Sequence, residues 1–216
     1  MQSKFKPILF STEMVKAILE NRKTKTRRIL NTGIKTMPED TVVHITDNGA
    51  MAHFQSKSFN PTNICGIKGK YEIGDILWVR ETFQKLESSL HPGVDYLYKA
   101  DIDLFNPDMI LWSPSIHMPK EAARIFLEVT DIRVERLRDI SEEDAIAEGF
   151  GKIINEKYVH PGWFLNHLNN HHMFNAVDSF ASMWVKLNGN GAWKQNPWVW
   201  VYEFKVIEKP ADFGIN

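Results

Sequence analysis

A single cysteine, Cys65, occurs in 216 residues. That excludes a disulfide framework within the chain and a structural zinc site built on two or more cysteines. Long apolar runs are missing as well: none reaches the roughly 18 residues that a membrane span needs. The opening MQSKFKPILF is too short and too polar for a signal peptide, so the expectation is a cytoplasmic protein. Charge excess is also absent. Lys and Arg number 26 against 27 Asp and Glu, a net charge of -1, which argues against an extended non-specific duplex binder. No internal repeat, heptad or low-complexity block occurs. No His-Glu-x-x-His, calcium-loop or phosphate-loop pattern is present, so neither metal nor cofactor is expected.

What is present is an ordinary globular balance, 43% apolar and 25% charged, with seven tryptophans and thirteen phenylalanines. The length fits one domain with elaborations, large enough to bury a core without staples. Many of the rings must therefore be core. Against this neutral background Glu20–Ile29, ENRKTKTRRI, puts five cations into seven residues. A cluster so local suits one focused anion site, or simply a solvated positive face.

Lys6–Phe10 reads as a first strand. Ser11 or Thr12 then caps a short helix striped by Met14, Val15, Ile18 and Leu19, and Asn21 can end it in the left-handed conformation. If Lys23–Arg28 is a strand, Thr24, Thr26 and Arg28 share one side, and Lys23, Lys25 and Arg27 the other. Val42–Ile45 and Ala50–Gln55 read as a hairpin across Asn48-Gly49. Further strands are expected at Ile76–Phe83, Tyr96–Lys99, Ala123–Val134 and Trp198–Ile207. Helices are expected at Ile140–Phe150, capped by Ser141 and stopped at Gly149, and at Ala176–Asn188. Strands joined by turns, with few crossover helices, predict a mixed α+β fold built on a small, mostly antiparallel barrel. Long loop insertions are expected at about 31–70, 84–120 and 151–175, and a frayed tail at 209–216.

Together the short strand, the helix ending before NRKTKTRR, the Gly74-Asp75 turn, the ISEEDAIAEGF helix and the terminal WVYEFKVI strand resemble an ASCH domain. The likeness runs from Lys6 to Ile207 and implies a PUA-like β-barrel spanning residues 5–208. The family pattern is roughly Gly-x-Lys-x-x-Glu-x-Arg. Here Asn21 stands for Gly, Lys23 and Arg28 match, and Thr26 replaces Glu. The threonine variant resembles the small N4-acetylcytidine amidohydrolases, which implies catalytic roles for Lys23, Thr26 and Glu148. Segments such as WSPSIHMPKEAARI are similar to longer ASCH proteins of bacteriophages and prophages.

Each residue also has a plainer reading. Lys23 among Arg22, Lys25, Arg27 and Arg28 can be solvated surface, or a lysine whose protonated form its neighbours disfavour. Thr26 needs an activating neighbour, and Thr24 is its decoy. Glu148 lies near a helix end where the dipole does not favour a carboxylate. Glu81, on an otherwise apolar strand face with Leu77 and Val79, is the rival acid, with Arg28 or Arg80 as its expected counter-charge. Trp78 or Trp112 can stack on a base, and His117 lies in a proline-rich loop that can shape a ligand site.

Three functions are open. The first is binding of RNA or a modified nucleoside in a cleft beside the KTKTRR loop, with phosphates on the cations and a base on an aromatic. The second is metal-independent hydrolysis by Lys23, Thr26 and Glu148, either of an N4-acylated cytidine or of single-stranded RNA. The third is a phage-related protein-interaction module without catalysis.

Overall fold

The computed structural model describes residues 5–30, 41–56, 65–86, 95–102, 110–151 and 164–214. Parts of all three expected insertions, at 31–40, 57–64, 87–94, 103–109 and 152–163, lie outside the described residues. In chain order the elements are β1 (Phe5–Leu9), α1 (Thr12–Leu19), β2 (Lys25–Ile29), β3 (Val42–Ile45), β4 (Met51–Gln55) and β5 (Cys65–Lys68). Then come β6 (Ile76–Arg80), β7 (Phe83–Lys85), β8 (Tyr96–Tyr98), β9 (Phe126–Arg136) and α2 (Glu142–Ala147). The chain ends through β10 (Phe164–Leu165), β11 (His172–Met173), α3 (Ala176–Asn188) and β12 (Trp198–Ile207). The fold is mixed α+β. One five-stranded sheet has the order β1-β6-β9-β12-β2, beside a three-stranded and two two-stranded sheets, and among the described residues no barrel closes. No helix among them is long and apolar enough to cross a membrane.

Local rules account for the boundaries. The Ser11 side chain accepts from Met14 N at the start of α1, and Ser141 does the same for Asp144 N at α2, each satisfying a donor the helix leaves orphaned. Asn21 has φ +56, a left-handed position after α1 that Asn tolerates. At Gly49, φ is +71 and an added Cβ would stand 2.6 Å from Ile132 Cδ1, so the β3–β4 turn needs both the backbone freedom and the missing side chain.

The chain divides into two compact units, and β9 and β12 each run from one into the other. The first holds Met1–Asn21, Gly74–Val129 and Lys205–Asn216. In it β1 pairs parallel with β6, which pairs antiparallel with the start of β9. Its core gathers Ile76, Trp78, Phe83, Met118, Phe126 and Phe213. Phe213 belongs to the tail expected to fray, yet it is buried, with its ring 4.6 Å from Phe126 and 5.2 Å from Phe5. One large ring in contact with three others outweighs the entropy of a free end. The expected strand Ile76–Phe83 breaks at Glu81-Thr82, and Phe83 starts a separate hairpin with β8.

The second unit holds Arg22–Ile73 and Thr130–Phe204. Here β2 pairs antiparallel with β12, and β3, β4 and β5 form a meander. The core lies against one face of β12, where Val199 and Val201 meet Leu137, Ala145, Phe150, Phe180 and Trp184 from α2, α3 and their approaches. Within the expected insertion 151–175, β10 and β11 make a short hairpin, too brief to leave a periodic signal.

Candidate functional site: a buried ion-pair cluster at Lys23

The cationic stretch begins by closing the end of a helix. Thr24 N donates to Ala147 O at 2.8 Å, Lys23 Nζ to Glu148 O at 2.9 Å, and Arg22 Nη1 to Gly149 O at 2.9 Å. Three consecutive carbonyls at the C-terminal end of α2 are thus taken by three consecutive residues, two of them cations, as the orphaned acceptors and the dipole favour. Lys23 Nζ also donates to Glu148 Oε2 at 2.6 Å and to Lys25 O at 2.7 Å. Lys23 is 1% exposed and Glu148 3%.

Strand alternation then sends Lys25 and Arg27 to the same side. Lys25 pairs with Asp144 at 2.8 Å and Glu203 at 2.7 Å. Arg27, also buried, donates to Glu135 at 2.6 Å, Asp144 at 2.6 Å and Glu148 Oε1 at 3.3 Å. Arg133 joins Glu135, Asp144 and Glu203. Four cations therefore face four carboxylates, and the local field expected from the sequence is largely neutralised by acids from β9, α2 and β12.

The electrostatics reflect burial and partners. Burial pushes the Lys23 ammonium below its ordinary pKa; the Glu148 carboxylate opposes this, while Arg28 and Arg27 add to it. For Asp144 burial acts upward, but hydrogen bonds from Lys25 and Arg27 and the charge of Arg133 prevail and hold it at about 2. Lys25 is raised, because its hydrogen bonds to Asp144 and Glu203 outweigh its desolvation.

Thr26 and Arg28 occupy the opposite face of β2, across from Tyr202 and Trp200. Lys23 and Glu148 are thus brought into contact, whereas Thr26 is buried on the face of β2 opposite Lys25 and Arg27. Arg28 is half-buried.

The remaining candidates belong to the first unit. Glu81 is 1% exposed, and its counter-charge is neither Arg28 nor Arg80 but Arg124, whose Nε and Nη2 reach its two oxygens at 2.8 and 2.9 Å. Burial raises the Glu81 pKa, with Arg124 opposing. Arg124 also pairs with Asp101 and lies 3.9 Å from the centre of the Tyr98 ring. Arg80 instead donates to the carbonyls of Met118 and Ile116 and lies over Trp78. Trp78 is packed in the core against Phe213, which takes up a ring expected to stack on a base. Trp112 is half-buried, and His117 is exposed at the end of a single 3-10 turn.

Sequence reasoning missed Arg124, Arg133, Glu135 and Glu203. Glu203 did leave a signal: it continues the Val199–Val201 face of β12, where a lone carboxylate requires a partner. Comparison of the chain with family models, with curated proteins and with solved structures returns no match.

Proposed function

We propose that the chain is an elaborated ASCH-type, PUA-like domain that binds RNA or a modified nucleoside at the Lys23 motif and hydrolyses it without a metal. The observation that carries this reading is the 2.6 Å contact between Lys23 Nζ and Glu148 Oε2, both buried. A buried ion pair is a poor device for stability, since apolar residues of similar volume do as well. A buried lysine and a buried carboxylate in direct contact are, by contrast, the two groups that a proton transfer to and from substrate needs.

For an N4-acylated cytidine the balance is simple. Water adds to the acyl carbonyl while the Glu148 carboxylate takes its proton, and the Lys23 ammonium stabilises the oxyanion that forms. Collapse breaks the carbon–N4 bond, and the proton returns to N4 as the amine leaves, giving cytidine and the carboxylic acid. The contact of Lys23 with Glu148, and the place of Thr26 on the opposite face of β2, favour water over the Thr26 hydroxyl as nucleophile. Cleavage of single-stranded RNA by the same pair would use the ribose 2′-hydroxyl in place of water.

The test is incubation of the purified protein with N4-acetylcytidine, products followed by chromatography, beside Lys23→Met, Glu148→Gln and Thr26→Val. Turnover lost in the first two and retained in the third supports this assignment. A folded parent that turns over neither N4-acetylcytidine nor single-stranded RNA, and binds neither, overturns it and leaves Lys23–Glu148 as the tie that closes α2. The protein-interaction reading then takes its place.

A further inference from the structure

A third charge touches the Lys23–Glu148 pair, and the hydrolytic step gives it no task. Arg27 is buried on the face of β2 that it shares with Lys25. Two acids and a ring anchor its guanidinium. Nε and Nη2 donate to Glu135 Oε1 at 3.0 and 2.6 Å, and Nη2 also donates to Asp144 Oδ2 at 2.6 Å. The centre of the Phe180 ring lies 5.8 Å from Cζ. The remaining nitrogen, Nη1, donates to Glu148 Oε1 at 3.3 Å. A planar fork held on two acids has little freedom to turn, so the direction of Nη1 is fixed by β9 and the start of α2.

The two oxygens of Glu148 are held differently. Oε2 accepts from Lys23 Nζ at 2.6 Å, whereas Oε1 accepts the longer bond from Arg27. A carboxylate oxygen has two lone-pair positions, so the loosely held Oε1 is the better placed of the two to receive a proton. Helix α2 does not itself favour this arrangement. Asp144 and Glu148 are like charges four residues apart, and Glu148 stands at the C-terminal end, where the dipole opposes a carboxylate. Arg27 joins both acids, Nη2 on Asp144 and Nη1 on Glu148.

We propose that Arg27 is the positioning residue of the site, turning the Glu148 carboxylate so that Oε1 meets the attacking water while Oε2 stays on Lys23. The role rests on the hydrolytic reading above. Water loses its proton to Oε1 as its oxygen bonds to the acyl carbon, and the same proton passes to N4 as the carbon–N4 bond breaks. Glu148 ends the cycle as a carboxylate, and Arg27 keeps its charge throughout and touches neither water nor substrate.

The test is steady-state kinetics of the full chain on N4-acetylcytidine and on a short oligocytidylate. Arg27→Gln, Arg27→Lys, Glu135→Ala and Arg27→Gln/Glu135→Ala are measured beside the parent, with folded fraction taken from urea denaturation. Arg27→Gln should lower kcat per folded molecule by about a hundredfold with KM unchanged. Arg27→Lys restores the charge but not the fork, so it should recover stability and not kcat. Glu135→Ala frees the guanidinium without removing it and should lower kcat by about tenfold, with no further loss when added to Arg27→Gln. Should Arg27→Gln fail to fold, Glu135→Ala still reports, because it leaves Arg27 and Glu148 in place. Stability lost with kcat retained in Arg27→Gln and Glu135→Ala overturns the role and leaves Arg27 as a strut beside a working Lys23–Glu148 pair. Full kcat in Arg27→Lys overturns it too, since charge alone would then suffice. A parent that turns over neither substrate removes the hydrolytic reading, and the positioning role with it.

Discussion

Lys23 meets Glu148 twice: through the backbone as bridge partners, and through the side chains with Nζ 2.6 Å from Oε2. Removing Glu148 should therefore strand Lys23, whereas removing Lys23 leaves Glu148 with Arg27 alone. Glu148→Leu, which leaves a buried ammonium, should cost about 3–5 kcal/mol of stability, and Lys23→Met less. The double variant should recover most of that loss while losing any turnover. Urea denaturation of the four proteins checks this, and simple addition of the two single losses would show that the pair is not coupled.

Acid should unfold the second unit in two stages. His167 is held at about 4 by burial and then by the Lys186 charge. Its folded pKa lies below its unfolded one, so the unfolded state binds more protons and stability falls as pH drops from about 6.5 to about 4. Asp144, held at about 2, stabilises above its unfolded pKa, and that contribution drains away from about pH 4 towards pH 2. Thermal melts across this range should lose the lower stage in Asp144→Asn. NMR titration should find the His167 ring neutral at pH 5.

In the first unit Arg124 is the counter-charge for buried Glu81. Arg124→Met should destabilise by about 3–5 kcal/mol at neutral pH. The direction of the Glu81 shift, upward through burial, means that mild acid protonates the stranded carboxyl more easily than an exposed one. The penalty should thus shrink as pH falls, and Arg124→Met/Glu81→Gln should carry little pH dependence of its own. Chemical denaturation at pH 5 and pH 8 separates the cases.

Phe213 anchors the C-terminal segment against Phe5, Trp78 and Phe126. Phe213→Ala should cost about 3–5 kcal/mol, far more than truncation of a frayed tail would. Denaturation midpoints, with Asp212→Ala as a neighbouring exposed control, measure it.

Local chemistry was legible in the chain itself. The caps at Ser11 and Ser141, the left-handed Asn21, the Asn48-Gly49 turn and the spans of α3 and β12 arise from side-chain periodicity and short-range hydrogen bonding. The sorting of Lys25 and Arg27 away from Thr26 and Arg28 comes from strand alternation. Tertiary structure decided what those residues meet. Asp144, Glu135 and Glu203 arrive from segments roughly a hundred residues or more away in sequence from their partners Lys25 and Arg27, and no short window encodes that. A run of five cations thus reads as a positive surface until the acids that neutralise it are brought alongside. The same long-range packing gave Glu81 its partner Arg124 and buried Phe213, because both outcomes depend on which distant chains close over a residue rather than on the residue's own neighbours.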